Sequence, residues 1–192
     1  MAQLFYRYSV MSAGKSLDLL KVRFNYKEKK RRVLTLTCGK SRKIVSRAGL
    51  EQVADYQVTK NYKEFSLFLF DTLQKEDPKC SVALVDEAQF LTENEVIVLA
   101  SVVDDYGIPV ICYGLKNDFQ NNLFEGSQAL LEYADKIEEI KTICEYCNRK
   151  ATMNLRLDEK GNPVTDGKQI VYAKDRYVSV CRKHYFKARE KK

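Results

Sequence analysis

The chain has 192 residues, 45% hydrophobic and 31% charged, the balance of a folded globular protein and not of a disordered one. Its longest apolar stretches, such as residues 96–103, are far too short to cross a bilayer, and residues 1–7 lack the charged-then-apolar layout of a secretion signal. The basic residues behind the net charge of +7 fall mainly in 27–32 and 182–192 without aromatic interleaving, and a solvated face and a polyphosphate substrate explain the excess at least as well as nucleic acid, which is not the expected partner.

The elements follow in order. Residues 3–8 read as a strand and residues 16–28 as a helix, with Leu17, Leu20 and Phe24 at helical spacing. Residues 32–37 read as a second strand, and residues 64–74 as a helix carrying Phe65, Phe68 and Leu73. Residues 81–85 are a short β-rich run, the pattern of a buried parallel strand. Thr92 caps the next helix, which runs to Asp105, because Glu95 stands at capping-box spacing. A strand over 108–113 enters through Pro109, a helix covers 127–134, and a strand over 136–141 closes this half. Strands alternating with helices give an α/β fold: a parallel sheet flanked by helices. From Thr142 the texture changes to paired cysteines, a turn-rich patch at 158–167, a β-rich run and a basic tail. A domain boundary is therefore expected near residue 142, dividing 1–141 from 142–192.

Two motifs carry chemistry in the first half. The first strand runs into Ser9-Val10-Met11-Ser12-Ala13-Gly14-Lys15-Ser16 and then a helix, the setting of a phosphate-binding loop. Such a loop aims backbone N–H groups at an anion on a helix N-terminus. Lys15 then reaches the β- and γ-phosphates of a nucleotide, and the Ser16 hydroxyl ligates Mg²⁺. The first glycine of the full pattern is replaced by Ser9. The second motif is Val85-Asp86-Glu87, an acidic pair at the end of an apolar strand. Strand ends of this kind line the ligand crevice of open α/β sheets, which suits Asp86 as a metal carboxylate and Glu87 as an adjacent base.

The second half carries a metal signature. Cys144-x2-Cys147 and Cys181-x2-His184 are two half-sites whose tight spacing offers two ligands each to a tetrahedral ion. His184 is the only histidine among the 192 residues, and four protein ligands leave no open position, so the expected ion is one structural Zn²⁺. Cys38, Cys80 and Cys112 lie singly in or beside strands and read as packing residues. Cysteines without a signal peptide point to a reducing compartment.

Taken together, Met11-Ser12-Ala13-Gly14-Lys15-Ser16, Val85-Asp86-Glu87-Ala88-Gln89-Phe90, residues 113–119, Phe124-Glu125-Gly126 and Cys181-Arg182-Lys183-His184-Tyr185 closely resemble the type II thymidine kinases of bacteria. The stretch 134–144 is similar almost residue for residue, and the resemblance covers nearly the whole chain. It implies transfer of the ATP γ-phosphate to the 5′-hydroxyl of thymidine, giving dTMP in deoxynucleoside salvage for DNA synthesis. By position, Glu87 corresponds to the general base, with Asp86 and Ser16 arranging Mg²⁺; the ATP-binding set becomes residues 9–16 and 86–89. Met11, Phe90, Leu115, Phe119 and Phe124 fall where the family builds its apolar base pocket. Tyr177 falls where an aromatic closes the nucleoside under a lasso-like loop held by the zinc domain. A cytoplasmic homotetramer is the assembly this resemblance implies.

The chain also departs from the family. Ser9 replaces a glycine, and an Asp-x-Arg motif expected before Ser46-Arg47-Ala48-Gly49-Leu50 is absent, leaving Arg42 as the nearby arginine. Val171-Tyr172-Ala173 stand where paired glycines are expected in the lasso, and Asn154 where a hydroxyl residue contacts the nucleoside. These departures make a catalytically impaired, nucleotide-binding paralogue the alternative reading.

Overall fold

The computed structural model describes residues 1–75, 79–169 and 175–190. In chain order it contains β1 (Leu4–Ser9), α1 (Lys15–Glu28), β2 (Arg32–Thr37), β3 (Lys43–Val45), β4 (Glu51–Val53), β5 (Tyr56–Gln57) and α2 (Tyr62–Lys75). There follow β6 (Cys80–Asp86), a 3-10 turn over Ala88–Phe90, α3 (Glu93–Tyr106), β7 (Val110–Leu115), α4 (Glu125–Tyr133) and β8 (Lys136–Glu139). The last quarter holds β9 (Ile143–Cys144), β10 (Cys147–Lys150), β11 (Met153–Leu157), β12 (Arg176–Val180) and α5 (Arg182–Arg189).

Six strands form one parallel sheet in the order β5-β2-β6-β7-β1-β8. The step from β1 through α1 to β2 leaves a gap that β6 and β7 later fill. The carboxyl ends of β1, β7 and β6 therefore lie side by side, and the turns after β1 and β6 share one crevice.

Side chains alternate across this sheet because the strand period is two. Ala83 and Val85 of β6 and Val110 and Cys112 of β7 pack towards α2, α3 and α4. Val82, Leu84, Ile111 and Tyr113 point the other way and meet Leu19 and Leu20 of α1. Both faces are covered, which is why residues 82–85 of β6 read as an unbroken apolar run.

The helix assignments hold with shifted ends. Thr92 completes a capping box: its hydroxyl accepts from Glu95 N at 3.4 Å and Glu95 Oε2 accepts from Thr92 N at 2.8 Å. The stripe expected on α1 is rotated. Leu20 is buried, but Leu17 and Phe24 are 40% and 64% exposed, and Leu19 takes the core position. Lys15 and Leu19, one turn apart, both face inward, and that turns Leu17 and Phe24 outward. The strand expected from Ile108 starts at Val110, because Pro109 has no N–H to enter the ladder. The one expected to reach Lys141 stops at Glu139, which pairs with Tyr8 just before β1 ends. The β3–β4 hairpin and β5, each of three residues or fewer, were too short to show a period.

A separate apolar cluster of Cys144, Met153, Leu155, Val178, Val180, Cys181 and Tyr185 organises the C-terminal part around the β11–β12 hairpin. No described helix is long and apolar enough to cross a membrane.

Candidate active site and metal centre

The turn between β1 and α1 is built around two left-handed residues, Ser12 (φ 60°) and Gly14 (φ 86°). Gly14 precedes α1 directly, where that conformation costs glycine least. Ser9, by contrast, is the last residue of β1 and lies outside the left-handed region, so no glycine is needed there. Met11, Ser12, Gly14, Lys15 and Ser16 line a cavity of about 260 Å³ together with Glu87, Arg47 and Leu115. Ser9, Val10, Ala88 and Gln89 are buried behind this wall, and Ala13 is half-buried.

Lys15 is only 8% exposed, and its ammonium donates to Ser9 Oγ at 3.2 Å and to the Val10 carbonyl at 3.3 Å. Burial pulls its pKa down, opposed by the nearby charges of Glu87 and Asp86. Asp86, 5% exposed at the end of β6, accepts from the Ser16 hydroxyl at 3.5 Å. Burial pushes its carboxyl up to about 7, reinforced by the charge of Glu87 and partly offset by Lys15. A hydroxyl and a carboxylate thus converge beside a lysine, a donor set that suits a hard cation such as Mg²⁺.

Glu87 holds a left-handed backbone (φ 54°, ψ 36°) although it is not glycine. Strain of this type collects where a side chain must be aimed. Its carboxylate accepts from the amide of Gln89, whose Oε1 in turn accepts from Leu115 N at 2.9 Å. The turn is fixed further by Gly126: a Cβ there would sit 2.6 Å from the Ala88 carbonyl oxygen. That close approach explains the glycine of the Phe124-Glu125-Gly126 motif.

Met11, Phe90, Leu115, Phe119, Phe124 and Tyr177 line a second cavity of about 170 Å³, with Asn117, Asp118, Asn154 and Gln169 as its polar members. Phe90 and Phe124 meet edge to face at 5.8 Å. Asp118 fixes the adjoining loop by accepting from Gln120 N and Asn122 N, both at 2.8 Å, and from Gln169 Nε2 at 3.0 Å. Tyr185, from the Cys-Arg-Lys-His-Tyr motif, donates its hydroxyl to the Phe119 carbonyl at 2.7 Å and so ties α5 to this cavity. Met11 and Leu115 belong to both cavities, which are therefore neighbours.

The ligand atoms of Cys144, Cys147, Cys181 and His184 all lie within 4.8 Å of one another. Three of the separations are 3.3, 3.5 and 3.9 Å. With bonds of about 2.3 Å to sulfur and 2.0–2.1 Å to nitrogen, a tetrahedral ion needs edges of roughly 3.5–3.8 Å, so these residues fit one.

The structure adds detail that spacing did not carry. Arg42 does not line the first cavity: its guanidinium donates to the carbonyls of Ala54 and Asp55 at 2.7 and 2.8 Å. Arg47 lines the cavity instead, in a loop closed by Ser46 and Leu50, and its charge acts on Lys15. Only its place in the Ser46-Arg47-Ala48-Gly49-Leu50 motif signalled it. Asn154 does reach the second cavity, but its amide is committed to Met11 N at 2.8 Å and the Asn117 carbonyl at 2.8 Å. Val171-Tyr172-Ala173 lie outside the described residues.

The comparisons agree with this geometry. The family model for thymidine kinase matches residues 2–185. Proteins named thymidine kinase from Streptococcus thermophilus, Lactiplantibacillus plantarum and Listeria innocua are 48%, 45% and 49% identical to this chain. The matches cover 97%, 97% and 95% of this chain and 94%, 96% and 96% of those relatives. The chain belongs to the thymidine kinase family.

Proposed function

We propose that this protein is an ATP-dependent thymidine kinase, making dTMP in deoxynucleoside salvage for DNA synthesis. The observation that carries the reading is the contact between the two cavities: a lysine- and carboxylate-lined one beside an apolar one, with Glu87 at the first and Met11 and Leu115 in both. The ATP phosphates take the 9–16 loop, where Lys15 and the N–H groups beyond Met11 meet them; Asp86 stands against Ser16, and Ala88 and Gln89 back Glu87. Thymidine takes the apolar cavity between Phe90, Phe119, Phe124 and Tyr177.

Glu87 accepts the proton of the 5′-hydroxyl as that oxygen attacks the γ-phosphorus and the bond to the ADP oxygen breaks. The left-handed backbone of Glu87 and its amide partner Gln89 hold the carboxylate in one orientation. Ser16 and Asp86 are the residues that would hold Mg²⁺, which neutralises charge on the phosphates when bound. Arg47 supplies the cation that the missing Asp-x-Arg motif would otherwise bring to the transferred group.

Cys144, Cys147, Cys181 and His184 hold one structural zinc in a domain of residues 142–192, set against a kinase domain of residues 1–141. Cytoplasmic location and a homotetrameric assembly extend to this chain from the family resemblance.

A coupled assay of ADP release with ATP and thymidine tests the proposal. Turnover that requires thymidine and is lost in Glu87→Gln supports it. Bound ATP with background turnover would instead establish the nucleotide-binding paralogue.

A further inference from the structure

Asn154 of β11 and Ser179 of β12 are direct cross-strand partners in the C-terminal hairpin, and both are buried, at 3% and 7% exposure. Directly opposed residues of an antiparallel pair share a face. This pair reaches out of the hairpin to a single residue of the phosphate loop, Met11, and holds the peptide units on either side of its Cα. Asn154 Oδ1 accepts from Met11 N at 2.8 Å, and the Ser179 hydroxyl donates to the Met11 carbonyl. The Asn154 amide is anchored in turn by donating to the Asn117 carbonyl at 2.8 Å. Both backbone groups of Met11 are therefore satisfied by side chains lying 143 and 168 residues away in sequence.

We propose that Asn154 and Ser179 are positioning residues, a clamp through which the metal-binding module sets the conformation of the phosphate loop. The inference rests on the reading of residues 9–16 as the ATP-phosphate loop. Met11 is the residue to hold, because it lines the phosphate cavity and the apolar cavity alike. With its N–H committed to Asn154, Met11 is not a phosphate donor. Its task is to fix where the following residues present theirs. The Cys181–His184 half-site begins two residues after Ser179, so the same short segment serves metal and loop.

The test uses Asn154→Ala, Ser179→Ala, the double variant and Ser179→Thr in the full-length protein. ATP affinity is read by calorimetry, and hydrogen exchange is followed in residues 9–16 and in α3. Releasing the backbone of one ordered residue is expected to weaken ATP binding roughly 5–30-fold in the double variant. Exchange should speed up in 9–16 and not in α3, and Ser179→Thr, which keeps the hydroxyl, should behave as the parent. ATP affinity within about twofold of the parent together with unchanged exchange in 9–16 would overturn the clamp. So would Ser179→Thr matching Ser179→Ala. If the parent binds ATP but does not phosphorylate thymidine, the proposed function fails while affinity and exchange still decide the clamp. If the parent binds no ATP, exchange in 9–16 alone decides it. Ser179→Ala removes one oxygen atom and serves as the minimal variant should the double one not fold.

Discussion

The Lys15 ammonium donates to the Ser9 hydroxyl across 3.2 Å, so the residue replacing the loop's first glycine serves as an acceptor for the loop's own lysine. Ser9 does so from the end of a strand, without a left-handed backbone. Lys15→Ala is expected to raise the KM for ATP about 10–100-fold, the worth of a charged hydrogen bond of about 1.5–3 kcal/mol. Ser9→Gly should keep turnover near the parent and lose about 0.5–1 kcal/mol of stability through added chain entropy. Steady-state kinetics and thermal melting read both. Near-complete loss of turnover in Ser9→Gly would show that the hydroxyl itself is needed.

Glu87→Gln keeps the size and hydrogen-bonding reach of the side chain but removes its basicity. Turnover should fall by about 10²–10⁴ while ATP affinity stays near the parent value. Kinetics beside calorimetry separate the two, and near-normal turnover would rule out Glu87 as the base.

The two arginines should respond differently. Arg47→Ala leaves Lys15 as the cation in the lining of the proposed phosphate cavity and is expected to cost on the order of 10³ in kcat with little change in melting temperature. Arg42→Ala removes the donor to the Ala54 and Asp55 carbonyls, which lie partly or wholly within reach of water, and should lower stability by about 0.5–1.5 kcal/mol with kcat largely kept. The reverse pattern would exchange their roles.

Asp86 links the site to stability. Its carboxyl is pushed up to about 7 in the folded protein, above the ordinary carboxylate range of the unfolded chain. The unfolded state therefore ionises first as pH rises. Asp86 costs nothing in strong acid, costs progressively more between about pH 4 and pH 7, and reaches a constant penalty above that. In nucleotide-free protein, Asp86→Asn should gain about 2–4 kcal/mol at pH 8 and almost nothing near pH 3, while losing turnover. Denaturant unfolding across pH measures this; an equal gain at both ends would assign the effect to something other than ionisation.

Elemental analysis of protein purified without added metal should return about one zinc per chain, and Cys147→Ser should lower that content. Chelation should reduce stability sharply, since structural zinc in small domains contributes on the order of 10 kcal/mol. A folded, metal-free chain would remove the assignment.

Much of this was legible in one dimension because the signals are local. The capping box at Thr92 needs only residues 92–95, and the Cys181–His184 pair needs only 181–184. The six residues expected around the nucleoside do line one cavity: five end or follow β1, β6 and β7, whose carboxyl ends the sheet brings together, and Tyr177 comes from β12 of the separate hairpin. Other features were out of reach. Leu17 and Phe24 fit a helical stripe as well as Leu19 does, and only the inward turn of Lys15 decided which face of α1 is buried.

The sequence by itself determined the alternation of strands and helices, the loop-and-carboxylate pair and the metal half-sites, since each depends on spacing within one or two turns of chain. Tertiary structure alone decided that Arg47 and not Arg42 lines the cavity of Lys15 and Glu87, and that Asn154 and Ser179 hold Met11. Those outcomes depend on where distant segments pack against each other and on which way a side chain then points, and no local periodicity encodes either.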